Sequence, residues 1–150
     1  MDLAAYLAQA TPEEWHQVAW SWNWDAGIEP LQWIIRQPTC DRGTALLIYW
    51  YAGPRYKAQY ASRDEVPSYQ REGYDLVMEI EAAYLGGRYT NAHISFDPRD
   101  DLGHDWTAEY ADQPNRHPIP QQMYMASPGR TVAPRDDFDE GYPPGIERDG

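Results

Sequence analysis

Between Ser21 and Tyr56 the chain reads SWNWDAGIEPLQWIIRQPTCDRGTALLIYWYAGPRY, and nearly every apolar run in it is bracketed by a residue that starts or stops a helix. Pro30 suits a first helical turn, where its missing N–H costs nothing. Leu31, Ile34 and Ile35 then share one face, with Trp33 placed to reach a neighbouring element. Pro38 ends that run, because the residue before a proline is pushed out of the helical region. Asp41 is placed to cap a second helix through Gly43-Thr44-Ala45-Leu46-Leu47-Ile48-Tyr49-Trp50-Tyr51, which Gly53-Pro54 stops. Two short helices with a short linker pack as an antiparallel hairpin. The block therefore fixes a helical hairpin and leaves little room for a sheet.

The flanking sequence extends this reading. Asp2–Ala10 forms a short helix with Leu3, Tyr6 and Leu7 on one face. Thr11-Pro12-Glu13-Glu14 is a helix start: Thr11 caps, Pro12 takes the first helical position and Glu14 closes a capping box. Trp15, Val18, Ala19 and Trp22 follow at the spacing of a helix buried on one side. Asn23–Gly27 breaks it. Arg55–Ala61 reads as a further helical turn and Ser62–Pro67 as a connector. Tyr69–Leu85 is amphipathic, with Leu76, Val77, Ile80, Ala83 and Tyr84 inward and Glu72, Asp75, Glu79 and Glu81 toward water; Gly86-Gly87 ends it. Ala92, Ile94 and Phe96 alternate with polar residues, which fits one short strand or an extended segment. The Asp-x-Gly-Thr-Ala-Leu pattern has no second copy at a fixed period, so the chain is not a repeat protein. The expected fold is mainly α: a compact bundle of about five short helices around the hairpin, with at most a minor strand.

From about Asp97 the apolar periodicity stops and prolines accumulate. Residues 97–150 hold 12 acidic and 5 basic residues, against a net charge of −12 for the whole 150-residue chain. The sequence is consistent with a helical domain over residues 1–98 and an extended acidic, proline-rich tail over 99–150, partly packed on it. Such a tail is either disordered or tacked down by its spaced aromatics and methionines. The second reading gives order to about Met125 and a mobile end. The sharpest acidic cluster is Asp136-Asp137-Phe138-Asp139-Glu140, with Tyr142-Pro143-Pro144 behind it.

So acidic a chain lacks the cationic surface that a phosphate backbone requires, so no nucleic-acid partner is expected. It suits a basic partner, whose encounter it would speed; the same charge also serves solubility alone. Cys40 is the only cysteine, so no intrachain disulfide forms. The N-terminal sequence has no basic n-region followed by an apolar run, and no stretch has the length of a membrane span. The expectation is a cytoplasmic protein without a membrane partner.

Few residues invite chemistry. Asp25, Glu29 and Asp41 frame the hairpin and read either as a general acid/base set or, beside Gly27 and Gly43, as caps and turn residues. His16, His93, His104 and His117 show no HExxH spacing; His93 with Asp97, or His104 with Asp105, would have to hold a metal in the least regular part of the chain. Cys40 with a histidine reads as a nucleophile–base pair or as a small buried apolar residue. Ser21, Thr44 and Ser95 lack a nucleophile elbow, and Gly86-Gly87 lacks a phosphate-loop context. No catalytic residue, cofactor or metal is expected. The dense tryptophans read as core by their helical spacing, or as a stacking groove. Trp20 and Trp24 fall off the main stripe and are candidates for a partner surface.

The motifs Trp22-Asn23-Trp24-Asp25-x-Gly27, Pro30-Leu31-x-Trp33-Ile34, Asp41-x-Gly43-Thr44-Ala45-Leu46 and Tyr49-Trp50 together resemble a bacterial domain-of-unknown-function family, number 4274. Glu79-Ile80-Glu81 and Ile94-x-Phe96-Asp97-Pro98 continue the resemblance, which runs from about Trp15 to Pro98. It implies a small, mostly helical cytosolic domain with no established reaction. Members of this kind look similar to small acidic proteins encoded beside secreted bacterial toxins. The implied function is that of an immunity protein, not an enzyme, which binds a cognate toxin and occludes its basic active site. The contact residues expected are Asp136, Asp137, Phe138, Asp139, Glu140 and Tyr142, with Trp20 and Trp24 as alternatives. Two other readings stay open: an enzyme using Asp25, Glu29, Asp41 and His93, and a general interaction adaptor.

Overall fold

The computed structural model describes residues 1–148. Six α-helices form the body: α1 (Leu3–Gln9), α2 (Pro12–Ser21), α3 (Glu29–Ile35), α4 (Arg42–Tyr51), α5 (Pro54–Lys57) and α6 (Arg71–Leu85). Their ends follow the local signals. Asp2 caps α1 by accepting from Ala5 N. Thr11 and Glu14 close the capping box of α2 reciprocally, Glu14 N donating to Thr11 Oγ1 and Thr11 N donating to Glu14 Oε1. The predicted break after Trp22 is a 3₁₀ turn, Trp24–Ala26, capped by Asn23.

Helix α4 is the centre. Every residue from Gly43 to Trp50 is buried, so it is apolar all round rather than on one stripe, as a helix enclosed by others must be. It packs between α2 and α6, and α3 leans on both α1 and α4. Trp15, Val18, Ala19 and Trp22 of α2 are buried together with Leu31, Ile34 and Ile35 of α3 and Leu76, Val77 and Ile80 of α6. The α3–α4 hairpin expected from the sequence is thus in place. Glu81, expected to face water, instead accepts a 2.9 Å hydrogen bond from the Tyr49 hydroxyl.

The polar ends of the large aromatics are satisfied, which is what lets them sit in a core. Trp15 Nε1 donates to Leu7 O at 2.9 Å, Trp22 Nε1 to Gly27 O at 2.7 Å and Trp50 Nε1 to Met123 O at 2.8 Å. Trp33 meets Trp15 edge to face at 5.4 Å, the neighbour contact its position suggests.

After α6 no α-helix and no multi-strand sheet form among the described residues. The Ile94–Phe96 run is extended, and its ladder partners lie in the tail: Ile94 bridges Arg130 and Phe96 bridges Ser127. Ser127 secures this junction, accepting from Phe96 N at 2.7 Å and donating to Ile94 O at 3.2 Å. Tyr89, Phe96, Met123 and Phe138 all join the hydrophobic core. Packing therefore continues well past Met125, and the expected mobile end is replaced by a chain laid across the body. Glu147 N even donates to Met1 O at 3.0 Å, joining the two ends.

Candidate functional site

The acidic cluster belongs to a strap, residues 133–142, held on the body at both ends. At its start the buried Gln17 side chain clamps the backbone: Nε2 donates to Ala133 O at 2.8 Å and Oε1 accepts from Arg135 N at 3.0 Å. In its middle Phe138 is buried, with the Arg135 guanidinium 5.0 Å above its ring. At its end Asp139 and Tyr142 exchange backbone hydrogen bonds of 2.9 Å, and Asn23 N donates to Glu140 O at 3.3 Å. Gly141, at φ +90°, lies flat on Trp22; any side chain there would overlap the indole. Tyr142 then packs against Trp22 with ring centres 5.6 Å apart.

This turns the carboxylates outward. Asp136, Asp137, Asp139 and Glu140 are all exposed. Arg135 grips Asp137 through two hydrogen bonds and holds its carboxyl below the usual carboxylate range. Arg148 pairs with both Asp139 and Glu140 and stacks 5.0 Å from the Tyr142 ring. Asp136 has no ion pair among the described residues. The arginines fix the carboxylates in place while leaving them in excess over their internal counterions. Beside the strap, Leu3, Leu7, Trp22, Pro30, Trp33 and Tyr142 line an open apolar groove of about 560 Å³, with Glu29 on its wall.

The sequence-predicted contact residues are therefore only partly gathered. Asp136, Asp137, Asp139, Glu140 and Tyr142 share the strap. Phe138 is its anchor, and as a buried side chain it offers no surface to a partner. Trp24 is half-buried against the core and opens the 3₁₀ turn. Trp20 is half-buried elsewhere, edge to face with His16 at 5.4 Å, in a cavity of about 260 Å³ that also holds Asp97, Asp100 and Asp101.

The candidates for catalysis have structural occupations. Asp41 is buried and accepts from Gly43 N, His93 N and Ile94 N, at 2.9, 2.7 and 3.2 Å. It is the cap of α4 and also the tie between α4 and the Ile94 run. Gly43 sits so close to that run that a Cβ would overlap the Ile94 carbonyl. Asp41 and His93 line one cavity of about 320 Å³, whereas Glu29 lines the apolar groove and Asp25 lies exposed in its turn. Cys40 is buried, and burial pushes its thiol up to about 12, far from a reactive thiolate. No group of three His, Cys or carboxylate side chains among the described residues converges as metal ligands would.

Two features escaped the sequence reading. Gln17 and His16 are polar residues inside the α2 core face, and only their helical position next to Trp15 hinted at burial. The Asp97–Asp101 cluster, which reads as loop, turns its acids toward Trp20.

The fold is thus a small all-α body built on α2–α4–α6, carrying an acidic strap. Residues 10–85 match the model of a family described as a domain of unknown function, DUF4274, and the chain belongs to that family. The matched residues run from just before α2 to the end of α6. The Ile94–Pro98 motif and the strap lie outside them, so the match begins earlier and ends sooner than the motifs suggested. No curated protein and no solved structure matches the chain. No helix among the described residues is long and apolar enough to cross a membrane.

Proposed function

We infer that this protein is a binding protein, an immunity protein that blocks a cognate bacterial toxin by covering a basic active-site cleft. The observation that carries this reading is the preordered acidic strap. Its carboxylates are exposed, yet its backbone is fixed by Gln17, Phe138 and the Gly141–Trp22 contact. An acidic surface that is already ordered gives up little conformational entropy on binding. Its charge accelerates encounter with a basic partner and discriminates against acidic ones. The apolar groove walled by Tyr142 and Trp22 adds a dry surface next to the charge, where an aliphatic or aromatic side chain of the partner would anchor.

The test uses the purified product of the reading frame adjacent to this one, as the candidate partner. Its affinity is compared between the native protein and a variant carrying Asp136→Asn, Asp137→Asn, Asp139→Asn and Glu140→Gln, across a salt series. The strap reading expects binding to weaken at least about tenfold at low salt and the salt dependence to flatten. Equal affinity and an unchanged salt slope would remove the strap from the interface.

A further inference from the structure

The apolar groove beside the strap is built on two helices that already pack against each other, α1 and α3. Leu3 and Leu7 stand one turn apart on α1, and Pro30 and Trp33 stand about one turn apart on α3. Leu3, Leu7 and Trp22 are buried by their own neighbours, whereas Ala4 and Ala26, which also line the groove, are exposed. Small side chains at these two positions leave the opening clear. Helices α1 and α3 have 7 residues each, about 10 Å or two turns at the helical rise. A furrow between two such helices matches the ridge of a third helix laid along it.

The polar groups around the groove define what that helix carries. No lysine or arginine lines it, and Glu29 is its one charged lining residue. Elsewhere on the body Glu79, Asp75 and Glu65 each have an arginine partner; Glu29 has neither an ion pair nor a hydrogen bond among the described residues. Its carboxylate is folded back over Gly27, where a Cβ would overlap Oε2. A second group is also unused: the indole N–H groups of Trp15, Trp22 and Trp50 all reach backbone carbonyls, and that of Trp33 reaches none among the described residues. On the strap side Tyr142 follows Asp139 and Glu140, whose arginine, Arg148, stacks on the Tyr142 ring at 5.0 Å. The charge complementary to this apolar furrow is therefore positive, and a guanidinium already rests on its rim.

We propose that the groove receives a basic amphipathic helix of the partner protein. Two apolar side chains one turn apart enter between α1 and α3, and an arginine or lysine beside them pairs with Glu29. Trp33 Nε1 is left to donate to a side-chain oxygen of the incoming helix. This deepens the binding-protein reading and rests on it for the partner being a protein.

The test is an amide-resolved NMR titration of the full chain with a designed probe. The probe is a capped alanine-based helix of about 15 residues, with leucine and phenylalanine one turn apart and an arginine flanking each. Saturable shifts are expected at the Leu3–Leu7 amides and at the Trp22 and Trp33 indoles, with a dissociation constant of the order of 0.1 mM. Exchanging the probe's arginines for glutamates should weaken binding about tenfold, and exchanging its two anchors for alanine should do the same. Ala4→Arg, at an exposed position, obstructs and recharges the groove and should also weaken binding about tenfold. Glu29→Gln should weaken it about threefold and flatten its salt dependence. The spectra of both variants report directly that they are folded. Shifts that fail to saturate, equal binding of the glutamate or anchorless probe, or equal affinity in Ala4→Arg overturn the proposal. Equal binding of a proline-interrupted probe assigns the groove to an extended segment, and shifts at the same amides on diluting the protein alone assign it to a second copy; either result overturns the helix. The titration needs no toxin. A silent groove alongside full protection in cells removes this inference alone, and saturable binding without protection removes the immunity reading alone.

Discussion

Replacing Asp41 by alanine distinguishes a structural carboxylate from a catalytic one. The substitution removes the acceptor of three backbone N–H groups, those of Gly43, His93 and Ile94. Loss of the α4 cap costs about 1 kcal/mol. The buried Ile94 amide is left without a partner, at about 1–3 kcal/mol. His93 N–H lies at the edge of the 320 Å³ cavity, where water can replace the lost oxygen, so its share is smaller. The whole comes to about 3–4 kcal/mol, which for a chain of this size lowers the melting temperature by about 10 °C. Asp41→Asn keeps one oxygen and should lose about half as much. Urea unfolding followed by tryptophan fluorescence, with thermal melting alongside, measures both variants. If Asp41→Ala stays within about 0.5 kcal/mol of the native protein, the amides are not held by this carboxylate and the tie between α4 and the Ile94 run is refuted.

Three further outcomes are expected. Burial lowers the His16 pKa from 6.5 to about 4; the unfolded chain therefore takes up a proton that the native one refuses, and stability falls between those values by about 3 kcal/mol as pH drops. Ring ¹³C shifts that titrate near 6.5 in the folded protein would contradict this. Cys40 should resist a thiol reagent at pH 8 until urea unfolds the chain; full labelling of the native protein would show that the thiol is not enclosed. Gly43→Ala should cost about 1–3 kcal/mol, against the gain alanine normally brings to a helix, because its Cβ meets the Ile94 carbonyl; an equally stable variant in urea would place the Ile94 run farther from α4.

The body was legible because its signals are local. The Thr11–Glu14 capping box, the Trp15–Trp22 stripe, Pro38 and the Asp41 cap each act within one or two helical turns, and each is where its spacing puts it. The long-range half was not legible. Nothing near Asp41 signals that its second oxygen reaches His93, fifty-two positions away. Gln17 grips the backbone at Ala133 and Arg135 across more than a hundred positions, through hydrogen bonds that leave no periodic trace. Phe138 carried the one usable hint: an aromatic set inside an acidic cluster reads equally as a contact residue or as an anchor, and burial decides for the anchor. The apolar groove is similarly composite, drawing Leu3, Trp22, Trp33 and Tyr142 from four separate segments.

Co-expression with the adjacent reading frame, first shown to be toxic when expressed alone, tests the central claim most directly. If this protein binds and occludes that toxin, cells producing both survive at the rate of cells producing neither. The variant lacking the four strap charges should protect less while remaining folded. Toxicity that is identical with and without the native protein, at confirmed expression of both, would contradict the immunity function.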